Sequence, residues 1–92
     1  MPCVYSMTNR PHGTLYTGFA NDLATRIEQH TMKVVDGFTK CYGLDLLVWY
    51  EFHESVIEAR QRERRIKKWH RDWKVNLIQA MNPEWRDLSQ SL

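Results

Sequence analysis

Apolar positions along this chain fall into short runs with two different spacings, and the spacing predicts the elements. Residues 3–7 form a short, apolar-leaning run that ends at the turn-rich stretch 8–13. Residues 14–19 follow, rich in β-branched and aromatic side chains. Two such runs, separated by several residues that include Pro11 and Gly13, read as a β-hairpin. Asn21 or Asp22 can then cap a helix, because either side chain accepts from the free N–H groups of a first turn. Leu23, Ile27 and His30 share one face of that helix, which runs to about Thr31. Residues 33–43 are irregular, punctuated by Gly37 and Gly43. Residues 44–51 hold the strongest strand signal, with Leu46, Leu47, Val48, Trp49 and Tyr50 in succession. Ser55 and Glu58 have capping-box spacing and open a helix that runs to about Trp69. A last helix is predicted over residues 72–81, beyond which Pro83 lacks the N–H needed to continue. Trp85 and Leu88 in the tail are expected to dock back on the domain. The predicted order is β-β-α-β-α-α: an α+β domain, a three-stranded antiparallel sheet flanked by helices.

Composition narrows the class. At 92 residues, with 42% apolar and 26% charged side chains, the chain reads as one soluble domain over residues 1–92. No apolar run approaches the length needed to span a bilayer, so no membrane partner is expected. The N-terminus has no charged region leading into an apolar stretch, so no signal peptide is expected. Cys3 and Cys41 are read as free thiols of a cytoplasmic protein. No Cys/His spacing resembles a zinc site.

The net charge of +2 hides an asymmetry. Residues 57–74 carry eight basic and three acidic side chains, whereas the rest of the chain is net acidic. The basic block is Arg60, Arg62, Arg64, Arg65, Lys67, Lys68, Arg71 and Lys74. It is either a solvated helix surface or a phosphate-facing patch that gains from counterion release on a polyanion.

Two residues break the periodicity around them. Arg26 lies three residues after Leu23 and beside Ile27, so it borders the apolar stripe of its helix. On the later helix the inward stripe reads Val56, Ala59, Glu63, Ile66, with a carboxylate in its middle. A carboxylate on a core-facing stripe must be paired, neutral or metal-bound. Pattern alone leaves two readings open: an Arg26–Glu63 ion pair, or a cleft lined by a cation and a metal-seeking anion. Tyr5 and Tyr16 lie on the two hairpin strands, where tyrosines commonly fill a half-buried face.

Taken in order, these residues resemble a known family, the GIY-YIG nucleases, and most closely its small stand-alone bacterial members related to the excinuclease C N-terminal domain. Cys3-Val4-Tyr5 is similar to the first signature and Tyr16-Thr17-Gly18 to the second. The stretch N-D-L-A-T-R-I-E-Q-H resembles the helix that supplies the family's arginine, which falls on Arg26, with His30 one turn further on. G-F-T-K, ending at Lys40, looks like a loop of the small members. A-R-Q-R-E-R-R-I-K-K-W resembles the segment bearing the metal-binding glutamate, which falls on Glu63, and N-P-E-W resembles a C-terminal signature. The departures are Cys3-Val4 for Gly-Ile, Thr17 for Ile, and Phe19 where larger relatives often carry lysine.

The resemblance implies a divalent-metal-dependent endonuclease that hydrolyses phosphodiester bonds of DNA, single-stranded or structured DNA included, in repair or processing. Its catalytic side chains would be Tyr5, Tyr16, Arg26, His30 and Glu63, with Glu63 holding one Mg²⁺ or Mn²⁺. Tyr5 is ranked first as general base, with Tyr16 orienting water or phosphate and His30 able to share the task. Lys40, Arg60, Arg64, Lys67, Lys68 and Arg71 would meet the nucleic acid. Asn76 and Asn82 both match a polar asparagine that recurs in relatives. RNA is an open alternative substrate, and a nucleic-acid-binding module with little or no catalysis is the alternative function. Exposed Trp69 or Trp73 beside the basic block would favour unpaired bases; core packing of both is the plainer reading.

Overall fold

The structure is a computed structural model and describes residues 1–31 and 43–92. Strand β1 (Cys3–Thr8) pairs antiparallel with β2 (Leu15–Ala20) on one side and β3 (Leu46–Phe52) on the other, giving the sheet order β2-β1-β3. Helix α1 (Leu23–Thr31) follows β2. Helices α2 (Val56–Lys67) and α3 (Arg71–Met81) follow β3, and a short 3₁₀ turn (Leu88–Ser91) ends the chain. The α+β order read from the sequence is the order of the structure, with boundaries shifted by one or two residues.

The sheet is central because its strands alternate. Cys3, Tyr5 and Met7 point to one face and pack with Ala20, Leu44 and Leu47, and with Leu23 and Ile27 of α1. Val4 points to the other face, into a second core with Ala59 and Ile66 of α2, Ile78 of α3, and Trp85. The ladder between β1 and β3 shifts register between Ser6 and Met7. Val48 and Trp49, though adjacent, both belong to the second core, as a β-bulge allows.

Local chemistry sets the ends of the elements. Asp22 caps α1, accepting from the Thr25 amide at 3.3 Å and the Thr25 hydroxyl at 3.0 Å. Ser55 caps α2, accepting from the Glu58 amide at 3.2 Å. The packed stripe of α2 starts later than its sequence suggests. Val56 and Ile57 in the first turn are exposed, and burial begins at Ala59. Helix α2 packs on β2 and β1, whereas α3 packs on β3.

The outer strand β3 is closed off by polar side chains from the tail. Asp87 accepts from the Leu47 amide at 3.3 Å. Buried Asn82 donates to the carbonyls of Val48 at 3.1 Å and Arg86 at 2.8 Å, and accepts from the Arg86 amide at 3.0 Å. Trp85 is buried and Leu88 packs on the first core, so the tail docks as expected. Of the two candidate asparagines, Asn82 is thus a backbone staple, and Asn76 is exposed on α3.

Truncating that staple strands buried backbone groups. Asn82→Ala is expected to destabilise the fold by about 1–3 kcal/mol, the cost of leaving buried partners unpaired. Chemical denaturation of the two proteins measures it, and an unchanged midpoint would remove the staple role.

Candidate active site

The hairpin register opens the site. Tyr5 lies opposite Gly18 of β2 and opposite Tyr50 of β3. A Cβ at Gly18 would meet the Tyr5 hydroxyl at 2.7 Å and the Tyr16 ring at 2.8 Å. Without one, the Tyr5 ring lies close over β2, and its hydroxyl shares a hydrogen bond of 2.9 Å with Nε2 of His30 on α1. Tyr16 stands on the same face, since it pairs with Met7. The three rings form a triangle: Tyr5 to Tyr16 is 6.2 Å, Tyr5 to His30 is 5.8 Å and Tyr16 to His30 is 5.9 Å between centroids.

Arg26 comes from the turn of α1 before His30 and acts electrostatically on both. Burial pushes the Tyr5 hydroxyl well above the usual phenol range, and the neighbouring Tyr16 adds to this. The Arg26 guanidinium pulls the other way, through its charge and a side-chain hydrogen bond, without prevailing. Burial first, and the Arg26 charge second, hold His30 below the ordinary imidazole value. Tyr5 is fully buried and His30 is 4% exposed, whereas Tyr16 and Arg26 are partly exposed.

The remaining side chains arrive from the other side of the sheet. β2 is an edge strand, so α2, packed across β2 and β1, can present side chains beside Tyr16. The Lys67 ammonium lies 5.9 Å from the centroid of the Tyr16 ring and 2.9 Å from Oε2 of Glu63. The Glu63 side chain is only 13% exposed. Among the described residues it pairs with Lys67 rather than with Arg26, which removes the simpler ion-pair reading of the sequence.

Residues 1–76 match the family model described as the GIY-YIG catalytic domain. The chain belongs to the GIY-YIG family. It is 40% identical over 67 residues to a UPF0213 protein of Clostridium perfringens, covering 73% of this chain and 72% of that one. A UPF0213 protein of Staphylococcus aureus is 39% identical over 66 residues, 72% of this chain and 80% of its own. Among solved structures, the solution structure of a UPF0213 protein from Bacillus halodurans superposes with a TM-score of 0.60 at 25% identity, covering 98% and 96% of the two chains. GIY-YIG domains form a nuclease superfamily, and these relatives are small stand-alone members of it.

In this GIY-YIG domain, Tyr5, Tyr16, Arg26, His30 and Glu63 meet at the β2 edge, together with Lys67. Lys67, expected among the cations that meet nucleic acid, pairs with Glu63, and its spacing of four from Glu63 is the sequence signal for that pair. Tyr5, ranked first as base by sequence, is the more deeply buried of the two hairpin tyrosines. Arg71 is committed to structure, donating to the carbonyls of His12 and Gly13 at 2.7 Å each and tying α3 to the hairpin turn. Arg62 likewise pairs with Glu51 at 3.1 Å, and Arg60 lies 4.4 Å over the Phe19 ring. Arg64 and Lys68 are exposed. Lys40 and Cys41 lie outside the described residues, and Cys3 is a buried thiol.

Because His30 is held below its ordinary value, the unfolded chain takes up a proton that the folded site refuses. Its contribution to stability is therefore full above about pH 6.5 and is lost as the pH falls below that. The thermal midpoint is expected to drop from pH 7 to pH 5, and to drop less in His30→Gln. Equal pH slopes for the two proteins would refute this.

Proposed function

We propose that this chain is a divalent-metal-dependent endonuclease that hydrolyses phosphodiester bonds of DNA. The observation that carries the reading is the convergence of two tyrosines, an arginine, a histidine and a half-buried glutamate at one sheet edge. The family membership supports the same chemistry.

The donor set fits a loosely held ion. Among the described residues no three His, Cys, Asp or Glu side chains cluster closely enough to hold a metal by protein donors alone. Glu63 offers one carboxylate, which suits Mg²⁺ or Mn²⁺ that keeps waters and is completed by a substrate phosphate. When bound there, the ion supplies Lewis-acid stabilisation of phosphate oxygen charge.

The chain's own residues do the rest. Hydrolysis joins a water oxygen to phosphorus and breaks the P–O3′ bond, with the 3′-oxygen leaving as a hydroxyl. Arg26, which acts on Tyr5 and His30, would turn its planar fork to the non-bridging oxygens and offset the charge that grows on them. Tyr16, partly exposed on β2, would as its phenolate take the attacking water's proton, and solvent would supply the proton to the leaving 3′-oxygen. Tyr5, ranked first from the sequence, is the other candidate base; its buried hydroxyl is hydrogen-bonded to His30, which could take its proton.

Unpaired bases are the favoured part of the substrate. Trp73 is 58% exposed, in contrast to its expected core position, and packs edge to face on Trp69 at 5.8 Å between centroids. Lys74, the next residue, donates to the Lys67 carbonyl at 3.5 Å, which sets the start of α3 beside the end of α2. An exposed indole next to cations stacks bases that have no partner strand.

Arg26→Ala is expected to lower the single-turnover cleavage rate of a DNA oligonucleotide by a factor on the order of 10² or more. Binding should weaken far less, and the thermal midpoint should hold. Chelation or Glu63→Gln should abolish cleavage. A mutant Arg26→Ala protein that cleaves at the wild-type rate sinks the assignment. A protein that binds DNA without metal-dependent turnover is a binding module instead.

Trp73→Ala should weaken affinity for single-stranded DNA by roughly 10-fold, the loss of about one stacked base, and leave duplex affinity unchanged. Fluorescence anisotropy with matched single and double strands reads both, and RNA of the same sequence reports on the sugar. An equal effect on single and double strands would dismiss the stacking role.

A further inference from the structure

Lys67 does not behave as an ordinary surface lysine. A lysine on a solvated helix face keeps its ammonium in water, but this one lies 2.9 Å from a carboxylate that is only 13% exposed. It also stands 5.9 Å from the ring of Tyr16, inside the cluster. Its own side chain is 49% exposed, so it is anchored at the site yet has an open route away from it.

We infer that Lys67 and the divalent ion are alternative cations for one carboxylate, and that Lys67, once displaced, binds the substrate phosphate. This rests on the reading of Glu63 as the metal ligand. The physical ground is charge balance. A half-buried carboxylate is costly without a cation close by. In the metal-free chain Lys67 supplies that cation through an i,i+4 pair. Were Glu63 to hold a divalent ion, Lys67 would lose its partner, and its ammonium, beside the Tyr16 ring, would be free to meet a substrate phosphate. Lys67 thereby makes metal loading and phosphate binding cooperate: with only one of them bound, either Glu63 or Lys67 is left without a partner of opposite charge, whereas with neither bound they pair with each other.

The test uses the full chain, labelled with ¹⁵N, and Mn²⁺ as probe. Paramagnetic broadening of the Glu63 and Lys67 amide signals reads metal affinity in the wild type, Lys67→Met, Lys68→Met and Glu63→Gln. Removing the competing cation should tighten Mn²⁺ binding roughly two- to five-fold in Lys67→Met, the range of a partly exposed ion pair. Lys68→Met, one residue on and equally cationic, should leave the affinity at the wild-type value. An equal effect in both overturns the exchange, since it would reflect only net charge. Glu63→Gln should remove the broadening; if it does not, the metal reading itself fails, and that failure is separate. At saturating Mn²⁺, Lys67→Met should cleave at least 10-fold more slowly than wild type and Lys67→Arg should recover much of the rate. An unchanged rate in Lys67→Met overturns the phosphate contact.

Discussion

The close passage of Tyr5 over Gly18 is the constraint on which the site depends. The two residues face each other across the hairpin, and any side chain at 18 would collide with the phenol of Tyr5. With that space open, the Tyr5 ring reaches past β2 to His30 and ties α1 to the sheet through one buried hydrogen bond. The position of α1 then decides where Arg26 lies, one turn earlier on the same helix. A glycine in a strand normally weakens it; here its lack of a side chain is what lets three rings pack as a unit. The shape of the site thus depends on a missing Cβ together with that hydrogen bond.

The second determinant is that β2 is an edge. Helices on opposite faces of a sheet are separated by the sheet's own thickness, so their side chains do not normally meet. At the border of β2 that separation ends. α1 on one face contributes Arg26 and His30, α2 on the other contributes Glu63 and Lys67, and Tyr16 lies between them. This also explains why the odd residues of both amphipathic stripes fall where they do. Arg26 borders its stripe, whereas Glu63 interrupts its own between buried Ala59 and Ile66. The opposite edge, β3, is treated differently: Asn82 and Asp87 take its unpaired backbone groups and seal it.

The basic block, which runs from α2 into α3, divides its labour. Arg62 and Arg71 are structural, one bound to Glu51 and the other to the hairpin turn, and Arg60 covers Phe19. Lys67 serves the cluster. Arg64 and Lys68 are exposed.

Periodicity and capping residues were enough to read the order of strands and helices in this chain, because each depends on neighbours within a few positions. The short runs at the N-terminus, the Ser55 cap and the docking tail all follow from local pattern, and the same pattern marked Arg26 and Glu63 as misplaced. The family signatures added their grouping. What the sequence could not reveal were quantities set by distant partners: that Tyr5 is more deeply buried than Tyr16, that Asn82 staples β3, that Arg71 holds the turn at His12, and that Trp73 is exposed. The same holds for Glu63, whose partner is Lys67 and not Arg26. Burial and charge pairing depend on what packs against a side chain from the far side of the sheet. That is decided only when the strands have chosen their register and the edge of β2 has brought the two helices together.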